Sequence, residues 1–146
     1  MEVPQCTCSA MRGATRALSL AYDNALRPSG LRMTQYSILT RVTALGRPLL
    51  SELAEMMTMD RTTLGRNLRP LERDGLVKLD VGHDRRERLV SVTAAGIEML
   101  ELARPLWKAM HQRLETKFGT EEAQQLRAAL RLITRAGREL ALEDSA

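Results

Sequence analysis

Aromatic residues are scarce in this chain of 146 residues, which has one tryptophan, two tyrosines and one phenylalanine. So few rings do not build the stacking surface with which proteins bind single-stranded DNA or RNA. The chain also lacks a long hydrophobic run, because no segment approaches the roughly 18 consecutive apolar residues of a membrane-spanning helix. We therefore expect neither a single-strand binder nor a membrane protein.

Cysteine and histidine are almost absent as well. The two cysteines, Cys6 and Cys8, lie near the N-terminus, and there are two histidines in the whole chain. One C-x-C pair cannot supply the four ligands of a structural zinc site, so we predict no metal and no cofactor. The G-x-S-x-G elbow, the Gly-rich phosphate loop and the metal-ligand clusters of enzymes are missing too, and we predict no catalytic residue and no enzyme activity.

The N-terminus does not combine a basic start with an apolar stretch, so we expect no signal peptide and a cytoplasmic protein. A hydrophobic share of 44% is enough for a packed core, and the length suits one domain with helical extensions. The net charge of +4 is modest, but it is concentrated. Residues 61–88 hold eight basic and five acidic side chains, which points to an anionic partner for this segment.

Residues 50–92 carry the most informative pattern. Ser51 and Asp60 are predicted to cap two short helices, and leucines at helical spacing give the second helix a buried face. Apolar and polar residues then alternate on both sides of an arginine-rich turn, which predicts a β-hairpin. Two helices and a hairpin in this order present the second helix to the major groove of duplex DNA and a basic loop to the neighbouring backbone.

Further helices are predicted on both sides of this segment. One covers about residues 8–26, and Thr34 is predicted to cap the next, which stops at Gly46. After the hairpin, in which we expect Val77, Leu79 and Val81 to share a buried face, Thr93 opens a long helix.

The second short helix leaves a polar face near its N-terminal half, which is where such helices usually read bases. Arginine suits guanine, asparagine suits adenine, and threonine contacts a base, a phosphate or a thymine methyl group. The predicted DNA contacts of this helix are Arg61, Thr62, Thr63, Arg66, Asn67 and Arg73. Arg66 is the first candidate for a base reader, whereas Arg73 either reaches a phosphate or pairs with a neighbouring acid.

The tip of the hairpin adds three predicted DNA contacts, Arg85, Arg86 and Arg88. Some of these arginines can lie along a narrow minor groove, where the negative potential is concentrated. We predict that Asp84 and Glu87 orient the guanidinium groups by pairing with them.

The last helix carries Leu126, Leu130, Ile133, Gly137 and Leu140 at alternating steps of four and three residues, the pattern of a helix–helix seam. This seam either folds back onto its own domain or pairs with a second copy of the chain. We favour pairing, because a two-fold dimer sets two recognition helices about 34–36 Å apart, one turn of duplex DNA.

The segment DRTTLGRNLRPLERDGLV and the tip DRRER, within this order of elements, resemble the MarR family of bacterial winged helix-turn-helix regulators. The resemblance implies a mainly α fold with a small β-hairpin wing and N- and C-terminal dimerisation helices. Residues 1–146 then form a single domain, with a DNA-binding lobe at about 34–92 and dimerisation helices at about 8–28 and 96–142. The wing arginine of the family falls on Arg86 or Arg88.

The resemblance also implies a sequence-specific transcriptional regulator, usually a repressor, that binds a pseudo-palindromic operator as a homodimer and is released by a small aromatic or phenolic ligand. An arginine can pair with a carboxylate, and Met, Tyr and Trp can enclose a ring. The candidate lining residues are Arg16, Tyr22, Tyr36, Met59, Trp107 and His111. Alternatively, Tyr36, Met59 and Trp107 are ordinary core residues.

Two other functions stay open. Some relatives sense oxidants through an N-terminal cysteine, which makes Cys6 and Cys8 candidate redox residues. An architectural protein that coats DNA without choosing a sequence is the other alternative. The ratio of specific to non-specific affinity separates that alternative from a regulator.

Overall fold

The chain folds into two compact units, of which the first ends at Trp107 and the second begins at Lys108. The computed structural model describes residues 5–145. Its helices are α1 (Thr7–Leu26), α2 (Met33–Leu45), α3 (Leu50–Met57), α4 (Arg61–Arg73), α5 (Ala94–Phe118) and α6 (Thr120–Ser145), and its strands are β1 (Val77–Val81) and β2 (Arg88–Val92). The predicted fold class, mainly helical with one hairpin after a pair of short helices, is confirmed.

The core of the first unit is made by aliphatic side chains from successive elements. The largest fully buried side chains come from α1 to α4 and from β2, and they are Leu26, Ile38, Leu39, Val42, Leu53, Leu64, Leu68, Leu71 and Val90. Since α3 and α4 pack against this shared core, and α3 contacts β2 while α4 contacts β1, the helix-turn-helix lies beside the hairpin.

The hairpin is antiparallel, with Val77 opposite Val92 at its base and Val81 opposite Arg88 near its tip. A single bridge between Leu49 and Leu89 attaches the loop before α3 to β2. The expectation that Val81 shares the buried face was wrong, because its side chain is 57% exposed. The outer end of β1 extends beyond the core, so the alternation holds only at the base.

Two predicted helix caps were wrong and two are confirmed. The helix expected to start at Thr34 begins at Met33, whose N–H donates to Asp23 Oδ1 at 2.7 Å. The helix expected to start at Ser51 begins at Leu50. The two confirmed caps are Asp60, which precedes α4, and Thr93, which precedes α5.

Hydrogen bonds hold the start of α5 at the base of the hairpin. Thr93 donates its N–H to the carbonyl of Leu76 at 3.0 Å and its hydroxyl to the carbonyl of Gly75 at 2.5 Å. The Thr93 hydroxyl in turn accepts the N–H of Gly96 at 3.1 Å. Gly96 is buried against this backbone, and a side chain at that position would overlap the Leu76 carbonyl.

The second unit contains the end of α5 and all of α6. Glu115 accepts contacts from His111 Nε2 at 3.4 Å and from Arg127 Nη2 at 3.5 Å. The α6 side chains of the predicted seam are largely exposed in the single chain. Within residues 5–145, we find no helix that is both long enough and apolar enough to cross a membrane.

Candidate functional site

Helix α4 is oriented by its three buried leucines, Leu64, Leu68 and Leu71. Asp60 begins the helix by accepting the N–H of Thr63 at 2.7 Å on one carboxylate oxygen and the Thr63 hydroxyl at 2.8 Å on the other. These hydrogen bonds, of which the one from the Thr63 N–H has the largest effect, lower the pKa of Asp60 below its ordinary value. The first turn of α4 therefore has a well-anchored negative cap.

The opposite face of α4 holds the residues predicted to read DNA. Arg61, Thr62 and Arg66 are exposed, while Thr63 and Asn67 are half-buried. The amide of Asn67 donates to the Thr63 carbonyl at 2.9 Å, so it has one N–H and its carbonyl oxygen left for another partner. Adenine needs those two groups together, one as donor and one as acceptor.

The arginines of α4 differ in how they are held. Among residues 5–145, the guanidinium groups of Arg61 and Arg66 have no hydrogen-bond or ion-pair partner. Arg73 lies at the last turn, where its Nε is 3.4 Å from Asp74 Oδ1. Both side chains of that pair are more than half exposed, so the interaction contributes little and does not prevent Arg73 from reaching a phosphate.

The hairpin tip, residues 82–88, is a compact turn. Asp84 accepts the N–H of Glu87 on its carbonyl at 2.9 Å and the N–H of Arg86 on its carboxylate at 2.9 Å. The Glu87 carbonyl accepts the N–H of Gly82 at 3.1 Å. The prediction that Asp84 and Glu87 pair with guanidinium groups was wrong, because neither carboxylate forms an ion pair among residues 5–145, and that of Asp84 closes the turn instead.

The three arginines of the tip are all exposed, but their side chains are engaged differently. Arg88 donates from Nη1 to the carbonyl of Arg85 at 2.8 Å and to that of Glu87 at 3.0 Å. The guanidinium groups of Arg85 and Arg86 have no partner in the part of the chain that the structure describes. Two of the three guanidinium groups are thus unengaged, while the third is hydrogen-bonded back onto the tip.

An ion pair beside the hairpin was not anticipated from the sequence. Arg47, in the loop between α2 and α3, lies 3.2 Å from Asp80 Oδ2, and Lys78 Nζ lies 3.5 Å from the other oxygen. Arg47 and Asp80 are 33 positions apart, and no local pattern relates them. Arg47 therefore adds a cation near the wing that only the tertiary structure reveals.

Five of the six predicted ligand residues lie in the first unit, and they differ in burial. Tyr36 is buried and stacks on Trp107, with ring centroids 5.9 Å apart and planes inclined by 19°. Met59 and Trp107 are partly buried against the same core, whereas Arg16 is exposed. Tyr22 is buried on α1, and His111 belongs to the second unit.

A cavity of about 370 Å³ lies elsewhere in the first unit, where α1 is followed by α2. Its lining residues are Leu20, Asp23, Asn24, Arg27, Gly30, Leu31 and Arg32. None of the six predicted ligand residues is among them. Within residues 5–145 no cluster of three or more His, Cys, Asp or Glu side chains is arranged to hold a metal ion.

Both cysteines lie at the start of α1. Cys6 is the N-cap residue and Cys8 is in the first turn, and both thiols are exposed and unpaired by a disulfide.

The chain is similar to known proteins in sequence and in fold. A model described as the MarR family matches residues 31–87. The crystal structure of the M. tuberculosis transcriptional regulator MosR in complex with DNA shares 37% identity, with a TM-score of 0.86 over 93% of this chain and 98% of that one. CouR from Rhodococcus jostii RHA1, bound to p-coumaroyl-CoA, is 24% identical, with a TM-score of 0.72 over 86% of this chain and 88% of that one, and shows the shared fold.

A curated relative, the uncharacterized HTH-type transcriptional regulator YwoH of Bacillus subtilis (strain 168), is 29% identical over 80 residues. The match covers 55% of this chain and 58% of the length of that relative.

Proposed function

The chain belongs to the MarR family of transcriptional regulators, and on that premise we propose that it binds a specific site in duplex DNA and represses transcription there. The observation that carries the proposal is the polar face of α4, where exposed Arg61, Thr62 and Arg66 lie opposite three buried leucines. The similarity to MosR, which was crystallised with DNA, supports it. We propose that the protein catalyses no reaction. We also propose that it is located in the cytoplasm, where it has access to the chromosome.

The proposed roles follow from the hydrogen-bonding groups of each side chain. Arg66 has both edges of its guanidinium available and suits the two acceptors of guanine. Asn67, oriented by its bond to the Thr63 carbonyl, suits adenine. Thr62 and Thr63 contact a base or a phosphate, and Arg61 reaches a phosphate beside the N-terminus of α4. Arg73, at the far end of the helix, reaches the backbone.

The wing supplies contacts of a second kind. Arg85 and Arg86 are exposed on a tip that is closed by hydrogen bonds, and their guanidinium groups can enter a minor groove or lie along phosphates. Such contacts release counterions and depend little on sequence, whereas contacts of α4 with base edges select the site.

The test begins with selection of bound sequences from a random duplex pool. A winner bound at least about 10³-fold more tightly than scrambled DNA at physiological salt supports a specific regulator. Nearly equal affinity for every duplex supports the architectural alternative instead. Arg66→Ala should lose about 1–3 kcal/mol of binding free energy and relax the preference at one position.

Arg86→Ala should weaken all duplexes to a similar extent and reduce the slope of log K against log salt concentration by about 1. Arg41→Ala removes an exposed arginine of α2 that is assigned neither to DNA nor to the dimer interface, and it serves as the matched control, with neither effect expected. If Arg66→Ala leaves both affinity and base preference unchanged, α4 does not read the site as proposed.

We propose that the protein is a homodimer, with residues 34–92 as the DNA-binding lobe and helices at 8–28 and 96–142 at the dimer interface. In the single chain, the α6 seam residues Leu126, Leu130, Ile133 and Leu140 are 36–60% exposed, which leaves an apolar stripe uncovered. Burial of such a stripe stabilises association by about 25 cal/mol per Å² of apolar surface.

Light scattering after gel filtration gives the oligomeric state directly. Ile133→Glu inserts a charge into the seam and should shift the protein toward monomer and weaken operator binding. Leu132→Glu is the control, since Leu132 is 64% exposed and points away from the seam residues. An unaltered mass for Ile133→Glu contradicts this interface.

We further propose that a small aromatic carboxylate releases the protein from DNA. The support is the Tyr36–Trp107 stack, the exposed guanidinium of Arg16, and the binding of an aromatic thioester by CouR. Release requires that the ligand bind the DNA-free conformation more tightly than the DNA-bound one. Benzoate and cinnamate derivatives can be screened for release of the selected duplex, with quenching of Trp107 fluorescence as an independent sign of binding.

Redox control is a second candidate mechanism because both thiols are exposed at one helix start. With peroxide as oxidant, Cys6 and Cys8 thiols would form one disulfide within a chain or between chains, and each hydrogen peroxide would be reduced to two waters. Peroxide should then abolish DNA binding by the parent but not by the Cys6→Ser/Cys8→Ser variant. Equal loss in both proteins contradicts this mechanism.

A further inference from the structure

The hairpin tip, residues 82–88, is held by two sets of hydrogen bonds, one on each side of its turn. On the first side, Asp84 accepts the N–H of Arg86 on its carboxylate and the N–H of Glu87 on its carbonyl, both at 2.9 Å. An aspartate that binds the backbone two residues onward is a common way to fix a turn. These two hydrogen bonds fix the turn from Asp84 to Glu87.

Arg88 makes the hydrogen bonds on the other side of the turn. Its Nη1 donates to the carbonyls of Arg85 and Glu87 at 2.8 and 3.0 Å, which uses both hydrogens of that nitrogen. The Glu87 carbonyl is also the acceptor for the N–H of Gly82, so Arg88 joins the hydrogen bond that closes the tip. Hydrogen bonds from a charged donor are stronger than neutral ones, which makes this a suitable brace.

Arg85 and Arg86 lie between these two sets of hydrogen bonds, and their side chains make no contacts of this kind. Within residues 5–145, the guanidinium groups of Arg85 and Arg86 have no partner, and both residues are exposed. Their backbone is fixed on one side by Asp84 and on the other by Arg88. A bracing cation also has its charge directed at carbonyl oxygens, which limits its repulsion of the two neighbouring guanidinium groups.

We propose that Arg88 is a positioning residue, which holds the Arg85–Arg86 peptide so that these two side chains reach DNA, and that Arg88 does not itself bind a phosphate. The inference rests on the proposed DNA-binding function and divides the labour among the three wing arginines. It assigns the wing contact with DNA to Arg85 and Arg86.

The first test needs no DNA. Water exchange of backbone amides, measured by NMR on the free full-length protein, reports the hydrogen bonds of the tip. Arg88→Ala should accelerate exchange of the Gly82 and Glu87 amides by about 3- to 10-fold, the size expected for one lost hydrogen bond. Arg85→Ala removes an arginine from the same tip without touching these bonds and should leave both rates unchanged. Arg88→Lys retains a charged donor and should give intermediate rates.

The second test uses a mixed-sequence duplex of about 30 base pairs, long enough for two half-sites one helical turn apart. Arg88→Ala should weaken binding several-fold while the slope of log K against log salt concentration stays at the parent value. Arg86→Ala should lower that slope by about 1, because a phosphate contact is lost. Thermal unfolding of each variant verifies that the comparison is made on folded protein, and Arg88→Lys replaces Arg88→Ala if the alanine variant is unfolded.

Unchanged amide exchange in the Arg88 variant overturns the brace. A slope lowered by about 1 in that variant overturns the assignment, whatever the exchange rates, since it shows a direct phosphate contact. Failure of the parent protein to bind any duplex is a different result. It refutes the proposed function, while the exchange rates of the free protein still decide whether Arg88 braces the tip.

Discussion

Replacement of Gly96 by alanine should loosen the attachment of α5 to the hairpin. The added methyl group would overlap the Leu76 carbonyl oxygen and lie 2.6 Å from Val92 Cγ1. The Val92 side chain has some freedom to move, but the carbonyl belongs to the backbone and also accepts the N–H of Thr93 at 3.0 Å. Relief of the overlap therefore displaces the start of α5 and strains that hydrogen bond.

The size of the effect follows from opposing contributions. Overpacking of a buried site costs about 1–3 kcal/mol. A weakened hydrogen bond adds about 1 kcal/mol to the loss. The better helix propensity of alanine returns at most about 1 kcal/mol. The last two contributions roughly cancel, so the free energy of unfolding of Gly96→Ala should fall by about 1–3 kcal/mol relative to the parent.

Urea denaturation measures this difference, and both proteins must be compared at one protomer concentration because association raises apparent stability. Gly65→Ala is the matched control. It also replaces a helical glycine by alanine, but its new methyl group meets nothing within 4 Å, so its stability should rise by about 0.5–1 kcal/mol. Stability of Gly96→Ala within about 0.5 kcal/mol of the parent refutes the close approach on which this reasoning depends.

Three further predictions concern α4. Leu68→Ala should lower the free energy of unfolding by about 2–5 kcal/mol in urea, because the side chain is 2% exposed and its removal leaves a cavity. The lowered pKa of Asp60 means that its cap stabilises the fold above the ordinary carboxyl pKa and that this contribution is lost as the pH falls through the lowered value. The parent should therefore lose stability below about pH 4 more steeply than Asp60→Asn, and parallel curves contradict the cap. Gly65→Ala, although more stable, should bind the selected duplex more weakly if this part of α4 approaches DNA closely, and titration of labelled duplex measures that affinity.

Local rules explain which parts of the fold could be predicted from the sequence. The N-cap at Asp60 depends on a residue three positions later, and the hairpin depends on alternation over five-residue strands. Both signals lie within a few residues of the element that they define. The start of α2 was misplaced because the Met33 N–H is satisfied by Asp23 from α1, ten positions upstream. That contact exists only once two helices have packed.

The exposure of the candidate arginines was predictable from the sequence, but the differences in how their side chains are held were not. On α4 the spacing of the buried leucines leaves Arg61 and Arg66 on the opposite face. The sequence did not distinguish Arg88 from Arg85 and Arg86, because the difference lies in hydrogen bonds to backbone carbonyls of the tip. Charge patterns report side chains, whereas the acceptors that hold Arg88 are groups that every residue carries.

The hydrogen bonds of α4 also relate the start of the helix to its reading face. Asp60 holds both the N–H and the hydroxyl of Thr63, and the carbonyl of Thr63 holds the amide of Asn67. The groups that begin the helix thus orient two of the side chains proposed to contact DNA. A side chain that is already ordered loses less conformational entropy on binding, so more of its hydrogen-bond energy is available for discrimination between bases. Arg66 has no such support, and its longer, unattached side chain must be ordered by the DNA itself.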